Sequence, residues 1–301
     1  TGIRVRDAGA APRLLVAEPH VWRGADPIIS PDGQWVGYIV SVYDTQGTFT
    51  SDLHVVSWKN GALGQLEIGN DLSVDDLPDS GERRGVLHVT WSPNSRMIAF
   101  NTISAANPVQ PYSYNDLWTL DIGTGAVRRL LAAEKGGGFV FSPDGTMFAV
   151  TSNFEYAGST DKAVVKVLRT DGSGQRELFT HPQIVANSEN LSIASPQWSP
   201  DGSSLFIAIP APVAGEPSLD ANAPSAQLYR LPLDGKPELL SMIEVANGAQ
   251  SVDWSPDAQH TAYVVTTAAP SPAATASSGI DYPPPLPVQD LIIAGPDGRG
   301  G

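Results

Sequence analysis

The chain has no cysteine. That excludes a disulfide framework, a thiolate nucleophile and cysteine-ligated zinc. It also suits a bacterial protein that works outside the cytoplasm, where exposed thiols would be oxidised. Long apolar runs are missing as well, and no stretch reaches the length of a membrane span. No signal peptide is visible in a sequence that starts at Thr1, and the expectation is a processed or excised portion of a longer chain. Basic residues are scarce: 18 Lys and Arg stand against 32 Asp and Glu, for a net charge of −14. Phosphate binding needs a basic surface, so this balance argues against nucleic acid and anionic membranes as partners. A solubilising acidic surface is its plain reading.

Catalytic signatures are missing too. The histidines, His20, His54, His88, His181 and His260, show no zincin spacing, and there is no G-x-S-x-G elbow. Gly136-Gly137-Gly138 leads into an apolar strand rather than a helix, so it reads as a turn and not a phosphate loop. Carboxylate pairs of the glycosidase kind could still meet across a fold, but nothing in the sequence selects one. No catalytic, cofactor-binding or metal-ligating residue is therefore assigned.

What the chain does have is a phrase repeated five times. It reads Ile29-Ser30-Pro31-Asp32-Gly33, Trp91-Ser92-Pro93-Asn94-Ser95, Phe141-Ser142-Pro143-Asp144-Gly145, Trp198-Ser199-Pro200-Asp201-Gly202 and Trp254-Ser255-Pro256-Asp257-Ala258. The serines are spaced by 62, 50, 57 and 56 residues, a period that marks a modular fold. Proline presets φ for a turn, aspartate bonds back to nearby amides, and glycine supplies positive φ. An apolar strand follows each phrase: Val36 to Val40, Met97 to Asn101, Met147 to Val150, Leu205 to Ile209 and Thr261 to Val265. Third strands often open on an acid and a leucine, as at Asp52-Leu53, Asp116-Leu117 and Asp290-Leu291. A short turn and a fourth strand complete the unit. Four short strands cannot bury both faces alone, and radial stacking of such sheets solves that problem.

These residues predict an all-β fold, a β-propeller of four-stranded antiparallel blades. The blades fall near 27–68, 87–131, 138–179, 196–240 and 251–294, within a single domain spanning 1–301. The stretch from Ile3 to Val16 reads as a hairpin that completes a terminal blade. Two closures stay open at this stage. Arg13 to Val16 could supply the outer strand of blade five, or the ring could be a truncated or split six-bladed one. Trp91, Trp198 and Trp254 occupy one repeat position and are expected to pack between blades rather than to touch a ligand.

The phrase Trp-Ser-Pro-Asp-Gly with an apolar strand, then Asp-Leu and a turn, resembles the TolB-type, WD-like propeller repeat. Similar propellers occur in the prolyl oligopeptidase family. The resemblance covers nearly the whole chain and speaks to fold far more than to function. It implies a non-enzymatic propeller for protein interaction or scaffolding in the bacterial cell envelope. It also implies an alternative, the gating propeller of a prolyl-oligopeptidase-like serine peptidase whose catalytic domain lies outside this chain. A five-bladed glycosidase-like enzyme is the third reading.

Loop lengths suggest where a protein partner would bind. First-to-second and third-to-fourth links are short, whereas second-to-third and blade-to-blade links run long, as at Val42 to Ser51, Ile103 to Asn115, Asn153 to Asp161 and Thr180 to Ser195. In a propeller the long classes share one face, and function collects on long loops. Tyr43, Tyr112, Tyr114 and Tyr156 are the candidate partner-binding residues there. The acidic loop Asn70 to Glu82 lacks calcium-loop spacing, and Thr266 to Pro287 reads as an extended insertion.

Overall fold

A computed structural model of the chain describes residues 2–5, 13–17, 23–24, 27–43, 49–57, 84–104, 116–132, 137–154, 162–186, 191–192, 196–212, 218–220, 224–246, 248–267 and 288–300. Among these, strands dominate, and the only helical segment is a 3-10 turn at Ala249–Ser251. The expected all-β architecture is the one found.

Each Ser-Pro phrase closes a hairpin between the first and second strands of an antiparallel sheet. Blade one pairs Ile28–Ile29, Trp35–Tyr43 and Phe49–Ser57, and Arg23–Gly24 joins the far half of the second strand. Its expected fourth strand lies outside the described residues. Blade two runs Arg84–Trp91, Met97–Ser104, Leu117–Asp121 and Val127–Leu131. Blade three runs Gly137–Phe141, Met147–Phe154, Lys162–Arg169 and Arg176–Ala186. Blade four runs Gln197–Trp198, Ser204–Pro210, Ser225–Pro232 and Glu238–Glu244. Blade five holds Asp253–Trp254, Thr261–Thr267 and Val288–Ala294, with no fourth strand among the described residues. Gly2–Val5 and Arg13–Ala17 pair with each other as a hairpin.

The chain divides into two compact units, Thr1–Gly137 with Thr170–Gly172, and Gly138–Arg169 with Ser173–Gly301. In the first unit, Leu53 and Val55 of blade one bury against Trp91, Ile98, Phe100 and Trp118 of blade two. In the second, Ala149, Val165, Val167 and Phe179 of blade three pack on Trp198, Leu205, Ile207 and Leu231 of blade four. The other face of blade four, with Phe206, Ala208 and Leu228, packs on Trp254 and Tyr263 of blade five. Blade four is thus covered on both sides, and all seven residues of Ser204–Pro210 are buried. A strand buried on both faces needs no polar alternation, which is why its sequence reads as a continuous apolar run.

Several strands outrun the expected bounds. The link expected over Val42 to Ser51 shrinks to 44–48, because Tyr43 pairs with Phe49 and the hairpin continues to its tip. The outer strand of blade three does not stop at Phe179 but runs to Ala186. Its register against Lys162–Arg169 shifts between Lys162 and Val164, and Pro182 falls in that irregularity. Proline is tolerated in a sheet at such a bulge, so it did not end the strand. Beyond it, Ile184–Ala186 pairs in parallel with Ser218–Asp220 of the blade-four insertion.

Candidate functional site

Of the four candidate tyrosines, Tyr43 alone lies among the described residues. Tyr43 ends the second strand of blade one. Tyr112, Tyr114 and Tyr156 lie outside the described residues, as do the Asn70 to Glu82 loop and most of Thr266 to Pro287.

The repeated polar residues are engaged in holding turns. In the first, third, fourth and fifth phrases the serine Oγ donates to the aspartate Oδ1 at 2.5–2.6 Å. The same Oγ accepts the backbone N–H five residues on, at 2.9–3.0 Å. The aspartate also accepts the N–H two residues on, at 3.0 Å. These bonds favour the ionised carboxylate, so Asp32, Asp144 and Asp257 titrate below the ordinary value. Asp201, which also accepts from the Ser203 hydroxyl, falls from 3.8 to about 2. Asn94 makes the same two bonds in blade two, from Ser92 Oγ at 2.8 Å and Arg96 N at 3.1 Å.

Two departures at the glycine position behave differently. Ser95 and Ala258 adopt φ of 60° and 54°, the left-handed conformation that Gly33, Gly145 and Gly202 hold without a side chain. Ser95 gains something for that strain: its Oγ accepts the backbone N–H of Asp32 at 2.9 Å, tying the turn of blade two to that of blade one. The sequence offered no signal for this bond beyond the departure from glycine.

The tryptophans are packing residues, as expected. All three are buried. Trp91 Nε1 donates to the Ile28 carbonyl of blade one at 3.1 Å, and Trp198 Nε1 to the Val140 carbonyl of blade three at 3.5 Å. Both acceptors stand two residues before the Ser-Pro serine. Trp254 Nε1 instead reaches the Pro296 carbonyl at 3.3 Å.

Asp116 is the one fully buried carboxylate among the described residues. Its Oδ1 accepts from Thr102 N at 2.8 Å, and its Oδ2 from Thr102 Oγ1 at 2.6 Å and Trp118 Nε1 at 2.7 Å. Asn101 Nδ2 donates to its backbone carbonyl. A buried carboxylate held by three such bonds fastens strands two and three of blade two together.

One concavity among the described residues lies in the second unit at the turns of blades four and five. This cleft of about 430 Å³ is lined by Pro200, Phe206, Leu240, Ala258 and Pro296, with Ser199, Asp201, Ser203, Arg230, Gln259 and Asp297 as its polar groups. The Arg230 guanidinium donates from Nε to Ser204 Oγ at 3.2 Å and stands 3.8 Å from Glu238 Oε2. Asp297 accepts from Arg299 N at 3.1 Å. The Ser199 and Ser203 hydroxyls both donate to Asp201, whose pKa of about 2 makes it a poor proton acceptor near neutrality. The cleft therefore offers fixed polar contacts between apolar walls.

No family model matches the chain, and no curated protein matches it by sequence. Solved structures do match. The β-propeller domain of the trilobed protease from Pyrococcus furiosus aligns over 92% of this chain and 69% of its own, at 14% identity and a TM-score of 0.52. An oligogalacturonate lyase from Vibrio parahaemolyticus aligns over 85% and 66%, at 17% identity and a TM-score of 0.52. The acylaminoacyl peptidase of Pyrococcus horikoshii aligns over 80% of this chain at 13% identity and a TM-score of 0.50. The chain spans 35% of that peptidase's length. Likeness at such low identity speaks to architecture alone. Together with the five Ser-Pro hairpin sheets, they establish that this chain has the β-propeller fold expected from its TolB-like repeat.

Proposed function

We propose that the chain serves as a non-enzymatic β-propeller, a protein-interaction or scaffold domain of the bacterial cell envelope. One observation carries this reading. The side chains that look most like chemistry are engaged in structure: the repeated Ser and Asp hold turns, Trp91 and Trp198 bond to the preceding blade, and Trp254 bonds to the Pro296 carbonyl. A scaffold built this way presents its loops rigidly, and loops on rigid scaffolds are where partners bind. The partner is a protein that meets the long-loop face at Tyr43, Tyr112, Tyr114 and Tyr156. The absence of cysteine supports an extracytoplasmic location.

Site-specific photo-crosslinking tests the surface. A photoreactive phenylalanine analogue at each tyrosine position is expected to yield a discrete protein adduct in envelope fractions. The same probe at Ser203 and Gln259, in the cleft of blades four and five, is expected to yield none. Adducts at the cleft positions alone would move the working surface to the short-turn face.

A second reading is favoured by the fold-level likeness to the propellers of the two Pyrococcus peptidases. In it, the propeller gates a serine peptidase domain. The parent reading frame decides between the two: a nucleophile elbow in the same frame makes the protein a peptidase.

A further inference from the structure

The five repeats depart from one another at a few positions, and several of these departures gather in one place. The seventh residue after each Ser-Pro serine is small in four repeats: Gly37, Ala99, Ala149 and Ala262. In blade four it is Phe206. Its cross-strand partner is Val55, Thr119, Val167 or Ile293 in those four repeats, and Arg230 in blade four. Phe206 and Arg230 both line the cleft at the turns of blades four and five.

The ties between neighbouring turns depart there too. Ser95 joins the turn of blade two to the Asp32 amide of blade one. Ala258 holds the same place in blade five and has no hydroxyl to offer. The Trp91 and Trp198 indoles bond to the carbonyl two residues before the preceding blade's serine. Trp254 turns instead to Pro296, in the third-to-fourth turn of its own blade. That turn is anchored further by Ser241 Oγ, which donates to the Asp297 carbonyl, and by the Tyr263 hydroxyl, which donates to the Gly298 carbonyl at 3.1 Å. Among the described residues, neither tie seen between blades one and two joins blade five to blade four. Asp201, Ala258 and Asp297 line a cleft there instead, of about 430 Å³. Small-molecule sites commonly measure roughly 300–1,000 Å³.

Charge narrows what such a cleft can hold. Arg230 stands 3.8 Å from Glu238, with side chains 43% and 53% exposed. A long ion pair half open to water holds its partners weakly. The guanidinium can therefore exchange Glu238 for a ligand carboxylate, which its planar fork suits. Asp201 and Asp297 are the anions of the lining. Asp201 stays ionised down to about pH 2, and Asp297 Oδ2 accepts no hydrogen bond from the described residues. A simple anion meets two like charges in this cleft, and a simple cation meets Arg230. A ligand that bears both charges on an apolar body complements the whole lining. We propose that the cleft binds a small apolar zwitterion, an α-amino acid with a hydrocarbon side chain. Arg230 takes its carboxylate, Asp201 and Asp297 take its ammonium, and Phe206 and Leu240 take its side chain. Such a ligand binds whether or not a protein meets the tyrosines, and it leaves no protein adduct at Ser203 or Gln259.

Isothermal titration calorimetry of the 301-residue chain with L-phenylalanine tests the site. One molecule should bind per chain, with a Kd below about 5 mM. Hydrocinnamate lacks the ammonium and phenethylamine lacks the carboxylate, and each should bind at least about tenfold more weakly. Glycine, which lacks the apolar body, should lose at least about tenfold as well. Arg230→Gln should weaken L-phenylalanine at least about tenfold, and Asp201→Asn at least about threefold. Gln259→Trp fills the cleft from an exposed position. It should abolish saturable binding while moving Tm by no more than about 2 °C. Should Arg230→Gln not fold, Gln259→Trp decides alone. L-phenylalanine that fails to saturate the chain below about 5 mM overturns the proposal. So does hydrocinnamate or phenethylamine that binds as tightly as the amino acid, since one charged head would then suffice. Binding that survives Gln259→Trp lies elsewhere on the chain, and it overturns the proposal too.

Discussion

Blade four and blade five are built from the same phrase, yet they meet different surroundings. Trp198 and Trp254 hold one position, and so do Ser199 and Ser255, Asp201 and Asp257. Their turns are alike to within 0.1 Å in the serine–aspartate bond. Their flanks are not alike: blade four is covered on both faces, and blade five on one. The turn is a local object, closed by residues within six positions of one another. The worth of an apolar side chain is not local, because it depends on what the neighbouring sheet removes from water.

The largest effect expected from this contrast is in the core. Leu228→Ala should cost about 2–5 kcal/mol, the range for a buried leucine that leaves a cavity. Leu291→Ala, at the equivalent place in blade five, should stay within about 0.5 kcal/mol, as exposed substitutions do. Denaturant unfolding of both variants measures the difference, and equal losses would break the comparison.

Next come the turns, where the two blades should agree. Ser199→Ala removes a hydroxyl that donates to Asp201 and accepts from Ser204 N. Ser255→Ala removes the corresponding pair in blade five. Each should cost about 1–2 kcal/mol, and the two values should match within about 0.5 kcal/mol if turn stability ignores coverage. A much smaller loss in blade five would show that the turn leans on its neighbours.

The glycine position sharpens the same point. Gly202 sits at φ 69° with only Pro143 near a prospective Cβ, at 3.9 Å. Gly202→Ala should cost about 1–2 kcal/mol of left-handed strain with no clash. Ala258→Gly relieves that strain but gives up a buried methyl, worth roughly 0.8 kcal/mol. Its net change in Tm should therefore be small.

The smallest effect is the acid response. Asp201 has its pKa lowered from 3.8 to about 2, first by the Ser199 hydroxyl. A depressed carboxylate stabilises the fold above its unfolded pKa, and that contribution is lost as pH falls through the folded value. The window is about pH 4 to 2 for Asp201. Asp201→Asn should keep the turn at neutral pH, since Asn94 already serves that place in blade two, and should flatten the fall in Tm across that window. An unchanged pH profile would mean the carboxylate contributes nothing through its charge.

Most of the fold was legible because its signals are short-range. Ser-Pro-Asp-Gly specifies a turn through its own side chains, and five copies at regular steps specify a set of like sheets. Strand ends were read less well. Tyr43 pairing with Phe49, and a strand that passes Pro182 through an irregular register, both depend on cross-strand bonds that no local residue announces. Ser95 looked like a plain departure from glycine, and its bond to Asp32 spans 63 residues. The candidate tyrosines rested on loop length alone, and all but Tyr43 fall outside the described structure.

By itself, then, the sequence determined the repeat, its turns, the inward tryptophans and the all-β class, since each follows from the chemistry of a few neighbouring residues. Only the tertiary structure decided which identical-looking apolar positions are covered, which carboxylate is buried as a fastening, and which polar groups share the cleft at Arg230. Those outcomes are set by contacts between residues far apart in the chain. Leu228 and Leu291 read the same until the sheet beside each one is known.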